Sequence, residues 1–208
     1  MPMRTQILLV VAVAVAFWIA VLWFNGTEIQ LAMLAPFGMT VSAVTAVAIF
    51  FEKVAWKWPI INGLLVRRPP LAGTWRTELL SSYLDKDGNP IRKTVYVVIQ
   101  QSLRTISYRM YTDTARSFSI AESIRLSEVD DLFELAVVYQ NVPDIQHRQN
   151  IGDGRIHFGA LHLTDISRNP TSIAGPYWTD RNTNGQLTLI ERKFSRISSY
   201  AEGVALFS

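Results

Sequence analysis

The chain of 208 residues contains no cysteine, which excludes disulfide bonds and cysteine-ligated zinc. Its three histidines are His147, His157 and His162. The last two lie an odd number of positions apart on one predicted strand, so they face opposite sides and indicate no metal site. The sequence also lacks a Walker A loop and a G-x-S-x-G nucleophile elbow. We therefore expect a binding protein, with no catalytic residue, no metal and no cofactor, rather than an enzyme.

Charge is almost absent from the first fifty residues. Residues 7–24 and 31–51 are two charge-free apolar runs, and the six residues between them contain only Glu28 as a charged side chain. A bilayer core about 30 Å thick requires about 20 apolar helical residues. The sequence therefore predicts a transmembrane helical hairpin over residues 1–52. A cleaved signal peptide is the weaker alternative, because the first run is long and no small-x-small cleavage site precedes a polar segment.

Basic residues flank the hairpin on one side only. Arg4 precedes the first run, and Lys53, Lys57, Arg67 and Arg68 follow the second. The positive-inside rule then predicts that both termini are cytoplasmic. Each run also carries small residues four positions apart, which pack either within the hairpin or between chains: Ala12, Ala16 and Ala20, and Gly38, Ser42 and Ala46.

A large excess of positive charge is also missing, since the chain has 20 basic and 17 acidic residues and a net charge of +3. This balance does not suit a protein that coats a nucleic-acid polymer. Fifteen of the 20 basic residues are arginines, the side chain best suited to bidentate phosphate recognition.

Residues 53–70 are a predicted linker, since Pro59, Pro69 and Pro70 exclude a continuous helix. The Arg67–Arg68 pair in it favours contact with lipid headgroups over a ligand site.

Helical periodicity is lacking after residue 70, where short alternating runs are separated by turn signals such as Asp153–Gly154. Residues 71–208 are therefore predicted to form one all-β domain. Successive strands without crossover helices indicate an eight-stranded antiparallel up-and-down β-barrel, with a sandwich as the alternative. The predicted strands cover residues 73–83, 91–101, 103–111, 115–126, 132–140, 155–164, 173–180 and 186–193.

The interior of such a barrel is either filled by side chains or holds one small ligand. Residues 104–113, in and next to the predicted strand at 103–111, have polar side chains on both faces. These side chains could contact a ligand inside the barrel or simply face solvent, so both kinds of interior remain possible. Residues 180–191 match the spacing of a calcium loop, but a strand follows the glycine and no helices flank the segment, so a hairpin turn is expected instead. This turn places Asp180 and Arg181 beside Tyr177 and Trp178, which suits either nucleotide recognition or a structural ion pair.

The order of these parts resembles a known family. A two-helix hairpin precedes a linker that continues into Gly-Thr-Trp at residues 73–75, and about eight strands end in Thr-Asp-Arg-x-Thr-x-Gly at residues 179–185. This is similar to the SMODS-associated two-transmembrane β-strand-rich effectors, the CD-NTase-associated protein 15 type, of the cyclic-oligonucleotide-based anti-phage systems called CBASS. The likeness extends over nearly the whole chain.

The resemblance implies that the barrel senses a cyclic dinucleotide made by a partner nucleotidyltransferase, and that the chain then oligomerises and disrupts the bacterial inner membrane. Such a ligand requires arginine or hydroxyl donors for its phosphates and aromatic faces for its bases. The alternative function is a membrane-tethered, lipocalin-like protein that binds a small molecule without killing the cell. The two motifs and the strand alternation supply the candidate ligand-binding residues: Thr74, Trp75, Arg76, Tyr108, Arg109, Tyr177, Thr179, Asp180, Arg181, Thr183 and Arg192.

Overall fold

A computed structural model describes residues 3–24, 31–58, 60–64, 66–85, 87–127, 129–147 and 155–208. The chain divides into two compact units, Met1–Trp56 and Lys57–Ser208. In the first unit, α1 spans Met3–Phe24 and α2 spans Leu31–Lys53. Two N-terminal helices are therefore present as predicted, while the connection between them lies outside the described residues.

The membrane-spanning character of these helices is not confirmed. Within the described ranges, no helix satisfies both the length and the apolar character needed to cross a membrane.

The second unit is a closed barrel in which each strand pairs antiparallel with the next and β8 pairs with β1. This confirms the predicted eight-stranded antiparallel barrel for the described part of the chain and excludes the sandwich. A short helix, α3 (Ile61–Leu64), precedes the barrel and α4 (Tyr200–Phe207) follows it. The strands are β1 (Gly73–Leu84), β2 (Pro90–Gln101), β3 (Ile106–Tyr111), β4 (Ala115–Leu126), β5 (Phe133–Pro143), β6 (His157–Ile166), β7 (Ile173–Thr179) and β8 (Asn184–Lys193).

Alternation along the strands places one set of side chains in the barrel interior. On β5, for example, Phe133, Leu135, Val137 and Tyr139 are buried while the residues between them are more exposed. Apolar side chains from seven of the strands form one continuous core. The interior is therefore filled mainly by side chains, as in small barrels generally. Members of this core that are almost fully buried include Trp75, Ile99, Leu135, Leu161, Leu163, Leu187 and Leu189.

The two ends of the barrel differ in polarity. We call the end with the β1–β2, β3–β4, β5–β6 and β7–β8 turns the mouth, and the opposite end the base. Inward residues towards the mouth include the polar Ser81, Ser117 and Asn141, and Asn141 Nδ2 donates to Ser117 Oγ at 2.9 Å. The base is closed by apolar side chains such as Leu71 and Ile166. The segment before β1 therefore joins the barrel at its apolar end.

The prediction of a purely β region after residue 70 is wrong at the C-terminus, where α4 forms. Ser199 caps this helix by accepting a hydrogen bond from Glu202 N at 3.2 Å, and the Glu202 carboxylate accepts from Ser198 N at 2.8 Å. Gly203 allows the helix to lie directly on the Tyr96 ring, where a side chain at this position would collide. In the sequence, the Ser-x-x-Glu pattern at residues 199–202 is typical of the start of a helix.

Candidate functional site

A cleft opens where β3 and β4 separate. Only three register pairs join these strands, the last at Arg109 and Phe118, although β4 continues to Leu126. Beyond that pair, Tyr108 N donates to the side-chain oxygen of Ser119 at 3.0 Å instead of to a backbone carbonyl. The separation leaves a cavity of about 520 Å³ between the two strands.

The cleft combines positive charge, hydroxyl groups and aromatic surface. Arg109 and Arg116 line it from β3 and β4, and both are exposed. Phe118 is 36% exposed, and Tyr111 adds a second ring to the wall. Glu122 is the acidic side chain among the lining residues, so the charged groups leave a net positive charge. The serine hydroxyl groups that line the cleft belong to Ser107, Ser117, Ser119 and Ser198.

The two cleft arginines differ from other arginines of the barrel in their partners. Arg76 pairs with Glu191 at 3.0 Å, and Arg168 pairs with Asp131 at 2.6 Å. In the described part of the chain, no carboxylate pairs with Arg109 or Arg116. A guanidinium group in this situation can donate two parallel hydrogen bonds to a phosphate, and a neighbouring aromatic face can stack on a base.

Tyr108 forms the inner wall of the cleft. Its ring is buried, its hydroxyl lies 3.4 Å from Met110 Sδ, and its centroid lies 6.4 Å from that of Tyr139. Burial raises the pKa of Tyr108 well above its ordinary value, with the nearby Tyr139 adding to the effect. The Tyr108 hydroxyl is therefore neutral at all physiological pH values.

Of the predicted ligand-binding residues, Tyr108 and Arg109 line this cleft. Arg116 and Phe118 belong to the same cleft but are absent from that set. They lie opposite Tyr111 and Arg109 in the β3–β4 register. Only this register, which the sequence does not specify by itself, shows that a second arginine adjoins the first.

The predicted residues of the Thr-Asp-Arg motif lie in the β7–β8 turn at the mouth. Thr179 N donates to Thr183 O at 2.9 Å, and Arg181 N donates to Thr179 Oγ1 at 3.2 Å. Asp180 exchanges two hydrogen bonds with β6: its N donates to Phe158 O at 3.0 Å and its carboxylate accepts from Phe158 N at 3.1 Å. These contacts fold the turn and fasten it to β6, so the expected hairpin turn is confirmed.

Tyr177, which precedes this motif on β7, points into the barrel interior below the mouth. Burial raises its pKa, and a hydrogen bond from the Ser81 side chain opposes part of that increase. Burial likewise raises the pKa of Tyr139, and both Tyr177 and Asp180 contribute to that shift. The mouth therefore has neutral phenol groups next to the Asp180 carboxylate.

The remaining predicted residues lie at the base, where they hold neighbouring segments. Thr74 Oγ1 donates to Ser195 O at 2.6 Å, and Trp75 Nε1 donates to Leu71 O at 3.0 Å. Arg192 donates to Pro70 O and lies 4.9 Å from the centre of the Trp75 ring. Burial lowers the pKa of Arg192.

The base group and the mouth group are too far apart to line one small site. Thr74 and Ser81 are seven residues apart on β1, or about 23 Å along the strand. Ser81 pairs with Gly185, which in turn pairs with Tyr177. The cleft between β3 and β4 is the place where predicted residues, unpaired arginines and a cavity coincide.

A larger groove of about 800 Å³ crosses the barrel wall at β7, β8 and the end of β1. It is lined by Gly175, Pro176 and Gly185, and its charged lining residue is Asp165. Without a lining arginine or lysine, this groove is a poorer match for phosphate than the β3–β4 cleft.

Comparison with known proteins agrees with a nucleotide ligand. A family model described as "Cap15, cyclic dinucleotide receptor domain" matches residues 66–191, more than half of the chain. The match includes the barrel from β1 into β8 and the residues of β3 and β4 that line the cleft. The chain is also 22% identical over 179 residues to CD-NTase-associated protein 15 of Staphylococcus schleiferi, which covers 86% of this chain and 91% of that protein. The chain therefore belongs to the Cap15 cyclic dinucleotide receptor domain family.

Proposed function

We propose that the barrel binds a cyclic dinucleotide in the β3–β4 cleft. Arg109 and Arg116 would hold the two phosphates, and Phe118 would stack on a base. The observation that carries the proposal is a pair of arginines in a cleft of about 520 Å³ that have no carboxylate partner among the described residues. The family match supports the class of ligand.

The chain would act as a CBASS effector activated by a cyclic dinucleotide from a CD-NTase. It would bind and relay this signal rather than catalyse a reaction, and it would bind no DNA or RNA polymer. Ligand binding would promote oligomerisation, and the N-terminal helices would then disrupt the inner membrane, with the barrel in the cytoplasm. The two charge-free runs at residues 7–24 and 31–51 support this assignment of the helices.

The contacts of β3 suggest how binding would be relayed. β3 pairs along its whole length with β2, and the turn between them contains Leu103, whose carbonyl accepts a hydrogen bond from the Arg68 guanidinium. The Gln101 side chain makes two further hydrogen bonds with the segment that contains Arg68: its Oε1 accepts from Leu71 N at 2.8 Å and its Nε2 donates to Pro69 O at 3.0 Å. A ligand that draws β3 towards β4 would therefore act on the segment before the barrel.

Calorimetric titration of the full chain in detergent tests the site. The ligands would be 3′,3′-linked cyclic dinucleotides of adenine, guanine and uracil, with a cyclic trinucleotide for comparison. We expect one dinucleotide to bind, and Arg109→Gln or Arg116→Gln to weaken it about 10- to 100-fold, because each substitution removes charged hydrogen bonds worth about 1.5–3 kcal/mol. Arg92→Gln, an exposed arginine on β2, is the matched control and should bind normally. Equal affinity in all four proteins would place the ligand elsewhere.

The lipocalin-like alternative needs a cavity inside the barrel. Side chains such as Leu135, Leu161 and Leu187 fill that space, which leaves the alternative with less physical support. Dye-filled vesicles carrying the full chain separate the two functions. Leakage that begins on addition of the bound dinucleotide supports the effector, and intact vesicles at saturating ligand would count against membrane disruption.

A further inference from the structure

The outer surface of β4 to β7 has an apolar row that the proposed ligand site does not use. Ala121, Val138, Ala160 and Trp178 are successive partners in the strand registers and form one line across four strands. Val138 is 42% exposed and Trp178 is 50% exposed. The outer wall of these strands therefore places apolar side chains where a soluble barrel normally has polar ones.

Further apolar side chains extend the row into a patch. Phe158 lies one row towards the mouth and is 47% exposed, and Ile120 protrudes at the β4 bulge and is 54% exposed. Alanines beside Trp178 line a groove of about 470 Å³ on the same surface. Isolated exposed apolar residues are common, but a contiguous patch of this kind marks an interaction surface. We call it the β4–β7 face.

The size of the face fits a protein partner. With aromatic side chains of about 150–250 Å² each, Phe158 and Trp178 together expose roughly 190 Å². Ile120, Val138 and the alanines add to this area. A standard interface buries about 800 Å² per partner, of which somewhat more than half is apolar.

The shape and charge of the face favour a second copy of this chain over a membrane. Trp178 protrudes beside the alanine groove, so the same surface carries both a projection and a hollow, as an isologous interface requires. Its rim carries both signs, with Arg125 opposite Glu134 and Glu134 bonded to His162 at 3.2 Å. Docking on anionic lipid would instead require a rim rich in lysine and arginine.

We infer that two copies of the barrel associate through their β4–β7 faces. This inference rests on the proposed oligomerisation of the chain and names the surface that would mediate it. Because Val138 lies at the centre of the face, a two-fold arrangement brings it close to its equivalent in the second copy.

The absence of native cysteine allows a direct test by disulfide cross-linking of the full chain in detergent. Val138→Cys should form a covalent dimer under mild oxidation, whereas Thr94→Cys, on the exposed outer wall of β2, should remain largely monomeric. The reactions are run with and without the cyclic dinucleotide identified by titration. Equal cross-linking at both positions, or none at Val138→Cys, would overturn the inference.

A second variant separates the interface from the ligand site. Ala160→Arg should lower the oligomer mass measured by mass photometry while leaving dinucleotide affinity unchanged, and Thr94→Arg should change neither quantity. If the chain assembles normally with Ala160→Arg, the face is not the interface and the proposed assembly still stands. If the wild-type chain remains monomeric with saturating dinucleotide, the assembly and this inference both fail.

A fluorophore attached to Val138→Cys tests contact with the membrane. Quenching of this fluorophore by quencher-labelled lipid in vesicles, without cross-linking between chains, would assign the face to the membrane and overturn the inference.

Discussion

Arginines serve different purposes at different positions in this barrel, and their partners distinguish these purposes. Arg76 and Arg168 are neutralised by carboxylates, while Arg192 donates to Pro70 O and lies over the Trp75 ring. Among the residues that the structure describes, Arg109 and Arg116 have neither arrangement, and both line the cleft. Arginine content alone therefore indicates a phosphate ligand, and only the partners show which arginines are available to bind it.

Arg192 should contribute to stability rather than to binding. Arg192→Gln removes a charge that interacts with the Trp75 ring and the hydrogen bond to Pro70 O, and we expect it to reduce the free energy of unfolding by about 1–2 kcal/mol. Urea unfolding measures this loss, and titration of the variant should give the wild-type dinucleotide affinity. A variant of normal stability with weakened binding would instead place Arg192 in the ligand site.

Gly159 makes room for a tyrosine in the barrel interior. A Cβ atom at this position would lie 2.5 Å from Tyr139 Cζ. Gly159→Ala should therefore lower the free energy of unfolding by about 1–3 kcal/mol, the usual cost of overpacking a core. Adding Tyr139→Leu should recover part of that loss, because it removes the ring that the new methyl group meets. Additive losses in the double variant, measured by urea unfolding, would contradict this explanation.

Among the elements, α4 shows how local chemistry can place a helix in an otherwise β domain. Hydrogen bonds from Ser198 lower the pKa of Glu202, whose carboxylate completes the N-terminal cap. The pKa of Glu202 is therefore lower in the folded state than in the unfolded state. The resulting stabilisation is complete at pH values above about 4.3, the ordinary pKa of glutamate, and it is lost as the pH falls through the lower pKa of the folded state.

Glu202→Gln should consequently unfold at a lower temperature than the wild type at pH 7, and this difference should shrink as the pH falls below 4. Thermal unfolding followed by circular dichroism across this range gives the result. A difference in melting temperature that is constant with pH would show that the Glu202 charge does not contribute to the cap.

The segment before β1 is fastened to the base by the Gln101 side chain. Gln101→Leu removes both of its hydrogen bonds and leaves Leu71 N without this partner. We expect faster hydrogen exchange at residues 66–72, unchanged dinucleotide affinity and reduced vesicle leakage. Unchanged leakage in this variant would show that the relay does not pass through Gln101.

How far the sequence predicts these elements depends on the range of the interactions involved. The alternation of Phe133, Leu135 and Val137 is local, and it predicts β5 and its buried side correctly. The pairing of β1 with β8 joins residues more than a hundred positions apart, so closure follows from the resemblance and the strand count, not from periodicity. Ser199 and Glu202 form a recognisable capping pattern for α4, but a helix of eight residues is too short to show a clear helical periodicity in the sequence.

The candidate site was less predictable than the fold because it depends on where two strands separate. Tyr108 and Arg109 follow from alternation, whereas Arg116 joins them through the β3–β4 register. The family motifs supplied most of the predicted site residues, yet the contacts of Thr74, Asp180 and Thr183 fasten turns and neighbouring segments. A short motif in a small barrel can therefore serve the fold, and its sequence alone does not distinguish this role from ligand binding.

On the scale of the whole molecule, the barrel has a polar mouth, an apolar base and a cleft in its wall. The proposed ligand binds at the cleft, the preceding segment joins at the base, and β3 with its turn to β2 connects the two. The β4–β7 face adjoins the cleft, since Phe118 of the cleft and Phe158 of the face are both register partners of Gln140. Ligand binding and association of barrels would therefore involve neighbouring parts of one wall.

Hydrogen–deuterium exchange of the full chain, with and without a saturating cyclic dinucleotide, tests the location of the site most directly. The cleft assignment predicts that the largest protection falls on residues 106–119, with little change at residues 73–76 and 179–185. Protection concentrated at either of those motif segments, with residues 106–119 exchanging as in the free protein, would contradict it.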